Sequence, residues 1–379
     1  MGHGVGGADD KLAPPEPYPT RTREVGGSMR KGLLGVSRLE LPQWASPAHG
    51  GASGDKLKLS AVRCGMCTQV AALLLTAYLL TMDMVLMLRL QTLNGDEQEI
   101  EARNSSGVVV SSAPSAPSIH WRDLLIPDTA IKGLFMDPMN QHIFMPLAKL
   151  TELGLDLHTT APWLTPDRIS VSHVLVAAVG MRFLACRSSL GARQLGVLLF
   201  AVRFFLDALD GEVARAVYKM KLSDPGIGSH GHLVDGVCDL AGTVFQLLGT
   251  LVLLHAHKEC AGLAHACVLT AQWAVLIAAS SLGWNSAISR FHDVLEGPGA
   301  APDPVARLLV MRSFWLWVVA WLWRIVNPHA LTAMLLGAVF VDKQWEWATW
   351  ALKRFAVVLF ILVLLTEIEF RIASITLSV

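Results

Sequence analysis

Apolar residues in this chain gather into eight long runs, at about 66–90, 170–187, 192–212, 231–256, 263–285, 306–326, 329–341 and 355–376. A helix needs roughly 20 apolar residues to cross the hydrocarbon core of a bilayer, and most of these runs reach that length. The run at 329–341 is short for a full crossing, so the pattern predicts seven or eight spans. With a mean hydropathy of +0.45 and only 16% charged residues, the chain is too apolar for an ordinary soluble domain. The expected fold class is all-α, a polytopic membrane helix bundle. A formal net charge of zero offers nothing to attract a nucleic acid.

Against that background the ionisable residues at 207–239 stand out. The stretch reads Asp207-Ala-Leu-Asp210-Gly211-Glu-Val-Ala214-Arg215, then fifteen residues, then Gly231-His-Leu-Val-Asp235-Gly-Val-Cys-Asp239. A charge held near hydrocarbon costs about 2.5–3.5 kcal/mol even on the lenient insertion scale, so such residues are read as functional. Asp207 and Asp210 are three apart and Asp235 and Asp239 four apart, so on helices each pair shares a face. Two such faces turned together make one oxygen-rich pocket. Four negative charges repel unless cations fill it, and hard oxygen ligands suit Mg²⁺ or Mn²⁺. The constellation fits a two-metal arrangement for phosphoryl displacement. Arg215 would present a planar fork to phosphate, and Gly211 and Gly231 would let a nucleotide or a helix approach the backbone.

The pattern Asp-x2-Asp-Gly-x2-Ala-Arg, a spacer, then Gly-x3-Asp-x3-Asp resembles the signature of the CDP-alcohol phosphotransferase family, and every fixed position is matched. The spacer 216–230 is longer than in most members, a trait of the ceramide phosphoethanolamine synthase branch, which this chain is most similar to. Thr165-Pro166-Asp167-Arg168-Ile169-Ser170 resembles the Thr-Pro-Asn-x-Ile-Thr opening of the family's first catalytic-domain helix, with Asp167 in place of Asn. Pro in the first turn behind a Thr cap is a good helix start on its own terms.

The resemblance covers about 139–341 and implies a six-helix domain of that family, with an extra N-terminal span and a C-terminal span added. It implies two divalent cations, Mn²⁺ or Mg²⁺, held by Asp207, Asp210 and Asp235. Asp239 is implied as the base that takes the acceptor's hydroxyl proton, in contact with a metal as well. Gly211, Ala214, Arg215 and Gly231 would line the CDP site. The implied reaction moves phosphoethanolamine from CDP-ethanolamine to the primary hydroxyl of ceramide and releases CMP. Family members are often dimers, which makes a homodimer compatible with the resemblance.

Residues 1–63 are polar and rich in Gly and Pro, and read as a disordered cytosolic tail. Residues 64–90 then form a transmembrane anchor, 91–138 a luminal linker, 139–341 the catalytic domain, and 342–379 an interfacial segment with a last span. Lys56, Lys58 and Arg63 precede the anchor, whereas residues 90–167 hold four Lys/Arg and ten Asp/Glu. The positive-inside rule therefore puts the N-terminus in the cytosol and the linker in the lumen. The sequon Asn104-Ser105-Ser106 falls in that luminal segment, so a glycoprotein is expected. The motif then faces the lumen, which together with the branch resemblance points to the Golgi membrane.

Other features have plainer readings. The cluster His255, His257, Cys260, His265 and Cys267 falls in a turn between spans, and Trp315, Trp317, Trp321, Trp323, Trp345, Trp347 and Trp350 read as an aromatic belt at the lipid interface. Lys219 and Lys221 in the spacer read as part of a solvated loop. Arg182, Arg203 and Arg312 sit in or near spans, where ion pairing and donor contact are both open readings. Two rival functions remain at this level. Diacylglycerol could replace ceramide as acceptor, since the motif does not discriminate acceptors. A membrane transporter would also carry intramembrane Asp and Arg, but its site would lie near the bilayer midplane.

Overall fold

The computed structural model describes residues 54–92, 130–218, 230–297 and 300–378. The tail to residue 53, the sequon at Asn104, and Lys219 and Lys221 lie outside the described residues. The chain divides into residues 1–64 and a compact unit, Gly65–Val379. The described elements belong to the latter, apart from the opening turns of the first helix.

Every regular element among the described residues is helical. In chain order they are α1 (Gly54–Thr92), α2 (Ile131–Phe135), a π turn (Asn140–Phe144), α3 (Met145–Leu155), α4 (Leu157–Thr160), α5 (Pro166–Leu184), α6 (Leu190–Tyr218) and α7 (His230–His255). There follow α8 (Leu263–Leu295), α9 (Pro304–Met311), α10 (Phe314–Val326), α11 (Pro328–Phe340) and α12 (Gln344–Leu377). The all-α polytopic membrane architecture expected from the apolar runs is what the chain adopts. By length and composition Val70–Thr92, Leu233–His255 and Leu263–Leu295 can cross a membrane, and α9 with α10, bent by 55°, makes either a broken fourth span or a re-entrant pair. Helices α5, α6 and α12 fall outside that test, and α6 alone carries Arg193, Arg203, Asp207, Asp210, Glu212 and Arg215.

Local chemistry explains the helix boundaries. Thr165 caps α5 through Oγ1, which accepts from the Arg168 amide, with Pro166 in the first turn, as read from the sequence. Ser313 Oγ accepts from the Leu316 amide to start α10, and Asn327 Oδ1 accepts from the Ala330 amide to start α11 ahead of Pro328.

Two expectations about organisation need correction. Residues 131–136 are not linker: Ile131, Leu134 and Phe135 are fully buried in the main core with Phe291, Leu331 and Trp323. Burial of that much apolar surface draws α2 into the domain, which therefore begins earlier than 139. The tryptophans are not mainly a lipid belt. Trp323 is fully buried and donates to Thr366 Oγ1, Trp345 donates to Glu259 Oε2, and Trp321 donates to Asp83 Oδ2. Only Trp315 and Trp350 of the expected set are exposed. The indoles of Trp321, Trp323 and Trp345 each have a polar partner at hand, which is what lets them leave the interface.

The helices that matter for function are α5, α6 and α7. Helix α5 lies between the other two and packs extensively on both, while α6 and α7 meet each other only slightly. Glycines permit the close approach. A Cβ at Gly196 of α6 would stand 2.7 Å from the Leu184 amide nitrogen, and one at Gly249 of α7 would stand 3.0 Å from Leu184 Cβ. The outward faces remain apolar, with Val171, Leu175 and Val179 of α5 and Leu233, Val237 and Leu240 of α7 exposed, as suits helices bathed in lipid.

Candidate active site

The buried face of α5 is Ile169, Ser170, His173, Ala177, Gly180 and Leu184, a three-and-four spacing that forms one stripe. This stripe carries two polar residues at the end where α6 nears residue 218 and α7 begins. Asp207 and Asp210 project from α6 and Asp235 and Asp239 from α7 onto that same end.

His173 and the carboxylates of Asp207, Asp210 and Asp235 each offer one ligand atom, and these atoms all lie within 4.8 Å of one another. Asp210 is almost fully buried and accepts 2.6 Å from Ser170 Oγ. Asp207 and Asp235 are partly buried. Asp239 stands beside them, within electrostatic reach of Asp207. Its Oδ1 accepts 2.6 Å from Arg203 Nη2, which also reaches the Asp239 carbonyl at 3.3 Å. Of the arginines singled out in the sequence, Arg203 is thus an ion-pair partner inside the site, whereas Arg182 is exposed.

Gly242, one turn beyond Asp239, makes this pair possible. A Cβ there would fall 2.5 Å from Arg203 Nε and 3.0 Å from its Cζ, closer than any stable contact. Gly211 and Gly231 differ. A Cβ at Gly211 would meet nothing nearer than the Arg215 guanidinium at 3.5 Å, and one at Gly231 only Asp167 Oδ1 at 4.0 Å. Among the described residues, then, no helix packs on either glycine, and helix approach does not account for them. Ala214 lies partly buried on the same stretch of α6. Arg215 Nη2 sits 2.9 Å from Glu212 Oε1, one turn back on α6.

A cation that sequence reading does not single out completes the electrostatics. Lys132, half-buried on α2, is within electrostatic reach of Asp207, Asp235 and Arg215. Its short helix is held by side chains from elsewhere. Glu296 Oε1 accepts from the Ile131 amide at 2.9 Å, Arg324 Nη1 donates to the Gly133 and Leu134 carbonyls at 3.2 and 3.4 Å, and Trp284 Nε1 donates to the Phe135 carbonyl at 2.7 Å. Five residues of isolated helix would not be stable in water; these contacts fix them.

The His/Cys-rich turn forms no metal cluster among the described residues. His257 stacks on Trp345 at 4.9 Å and His265 meets the same ring edge-on at 5.6 Å, so aromatic packing accounts for both. In a second acidic group, Glu152, Asp156 and His158, the residues pair with one another: His158 Nδ1 lies 2.6 Å from Glu152 Oε1 and 3.1 Å from Asp156 Oδ1.

Comparison with known proteins covers most of the chain. Residues 64–269 and 263–375 match the ceramide phosphoethanolamine synthase family. The chain belongs to that family. Over 270 residues it is also 31% identical to the ceramide phosphoethanolamine synthase of Drosophila melanogaster, covering 63% of this chain and 67% of the relative. No solved structure matches it. Both the motif helices and the N-terminal span fall within the ceramide phosphoethanolamine synthase match, which starts at residue 64 and so takes in most of the apolar stretch of α1. Membership in a ceramide phosphoethanolamine synthase family makes the chain a membrane-embedded phosphotransferase with lipid substrates.

His173 and Lys132 are the site residues that sequence reasoning misses. His173 has a legible signal, a histidine on the buried stripe of a capped helix. Lys132 has none, because nothing local ties it to residues beyond 200.

Proposed function

We propose that the chain transfers phosphoethanolamine from CDP-ethanolamine to the primary hydroxyl of ceramide. The hydroxyl oxygen attacks the phosphorus that bears ethanolamine, the bond from that phosphorus to the bridging oxygen breaks, and CMP leaves with the bridging oxygen. The observation that carries this reading is the convergence of Asp207, Asp210 and Asp235 from two helices to within 4.8 Å in a chain of the ceramide phosphoethanolamine synthase family.

The donor set fits two divalent cations, Mn²⁺ or Mg²⁺. Carboxylates crowded at this distance repel one another, and His173 is fully buried among them with neither ring nitrogen hydrogen-bonded among the described residues. Asp207, Asp210 and Asp235 would hold the cations, with Asp239 at their edge. Bound cations draw charge from the diphosphate and stabilise the departing CMP.

The chain's own residues do the rest. Asp239 takes the proton of the attacking hydroxyl; the Arg203 ion pair holds its carboxylate through Oδ1. Arg215 and Lys132 bring positive charge to the donor diphosphate from α6 and α2. Gly211, Ala214 and Gly231 leave room for the nucleotide, since the nearest neighbours of the two glycines are the polar ends of Arg215 and Asp167 rather than a packed helix. The positive charge of Lys56, Lys58 and Arg63 ahead of the first apolar run and the sequon at Asn104 support a cytosolic N-terminus and a site facing the Golgi lumen.

The test supplies purified protein in detergent with CDP-ethanolamine, equal ceramide and diacylglycerol, and Mn²⁺, and identifies products by mass spectrometry. Ceramide phosphoethanolamine with CMP supports the proposal. A glycerophospholipid as the sole product would overturn the acceptor, and no CMP from folded protein would overturn the donor.

A further inference from the structure

His173 lies near the N-terminal end of the α5 stripe with no solvent exposure. Neither Nδ1 nor Nε2 has a hydrogen-bond partner among the described residues. A buried polar group left unsatisfied costs about 1–3 kcal/mol, so an imidazole with both nitrogens orphaned needs a reason to be there. The neighbouring donors are already committed: Ser170 gives its hydroxyl to Asp210, and Arg203 gives its guanidinium to Asp239. Nor does His173 form an ion pair within 4.0 Å of any carboxylate, although one of its nitrogens lies within 4.8 Å of the oxygens of Asp207, Asp210 and Asp235. That separation is too long for hydrogen bonds and leaves a space ringed by three oxygens and a nitrogen.

We propose that His173 is a metal ligand, donating a ring nitrogen to the cation held by Asp207, Asp210 and Asp235. The idea rests on the two-metal reading above and adds to it a donor from a third helix. Helix α5 is the element that packs on both α6 and α7, so a ligand on α5 ties the two motif helices through the metal itself. A nitrogen donor also changes the character of an otherwise all-oxygen set, because imidazole suits Mn²⁺ and later transition metals better than Mg²⁺.

The test uses full-length protein in detergent, without substrate, and Mn²⁺ as the probe. Binding is read from loss of the free-ion electron paramagnetic resonance signal, and nitrogen coordination from pulsed measurements on the bound ion. Wild-type protein should bind Mn²⁺ and show the ¹⁴N coupling of a directly bonded imidazole, which converts to a ¹⁵N pattern when histidine is ¹⁵N-labelled. His173→Gln should lose that coupling and bind Mn²⁺ at least about 10-fold more weakly, with a smaller loss for Mg²⁺ measured by competition. Bound Mn²⁺ without nitrogen coupling in the wild type overturns the His173 assignment and leaves the carboxylate site standing; this arm needs no variant to fold. Retention of the coupling in His173→Gln overturns it as well. Folded wild-type protein that binds no Mn²⁺ overturns the metal reading and this proposal with it.

Discussion

Arg324 donates through Nη2 to Asp83 Oδ1 at 2.5 Å, and both side chains are almost completely buried. His142 Nε2 lies 2.8 Å from the same Asp83 oxygen, and Gln141 Oε1 accepts from Arg324 Nη1. This network joins α1 to α10 and to the π turn, and the same guanidinium holds the carbonyls of α2. The first span is therefore an integral wall of the domain rather than a simple anchor. Asp83→Ala leaves a buried guanidinium uncompensated, which costs about 3–5 kcal/mol. Thermal unfolding in detergent should show a large loss of stability for Asp83→Ala and partial recovery for Asp83→Leu combined with Arg324→Met. Additive losses in the pair would argue that the two residues do not act together.

Lys132 depends on that network for its place. Charge-assisted contacts to phosphate contribute about 1.5–3 kcal/mol, so Lys132→Met should weaken CDP-ethanolamine binding by about 10- to 100-fold. Thermal unfolding should barely move, since the side chain is only half-buried. Calorimetric titration of the donor checks this, with Lys132→Arg expected to retain most of the affinity. Equal donor affinity in Lys132→Met and wild type would remove the residue from the donor site.

Gly242→Ala places a methyl group 2.5 Å from Arg203 Nε. The guanidinium must shift away from Asp239, and displacement of a catalytic group by about 1 Å can cost about 100-fold in rate. Turnover, followed by CMP release, should fall by that order while the helical circular dichroism stays the same. Arg203→Lys, which keeps a charge but loses the fork, should fall in the same direction. Full activity in Gly242→Ala would show that the Arg203–Asp239 pair does not govern the rate.

Asp239→Asn removes the base while preserving size. General base catalysis contributes about 10²–10⁴-fold, so turnover should drop within that range and CMP should still bind. Single-turnover kinetics beside a nucleotide titration separates the two effects. Normal turnover with Asn at this position would reassign the proton to another group.

The helical membrane architecture and the carboxylate motif are legible in the amino-acid sequence because both are local. A run of apolar residues declares a membrane helix by length, and spacings of three and four place Asp207 with Asp210 and Asp235 with Asp239 on shared faces. The cap at Thr165 is readable for the same reason. Residues 131–136 read as linker because a short helix carries too little periodicity to reveal that it is buried, and the tryptophans read as a belt because their polar partners lie far off in the chain.

What only the tertiary structure decided are the relationships across long stretches of chain. His173 meets the carboxylates because α5 packs between α6 and α7. Lys132 reaches Asp235 because Arg324 and Glu296 pin α2, and Asp83 finds Arg324 across 241 positions. Nearest-neighbour patterns determine which residues share a helical face. Which faces meet is set by close packing and by pairing of buried polar groups, and those forces act on distance in space with no regard for separation along the chain.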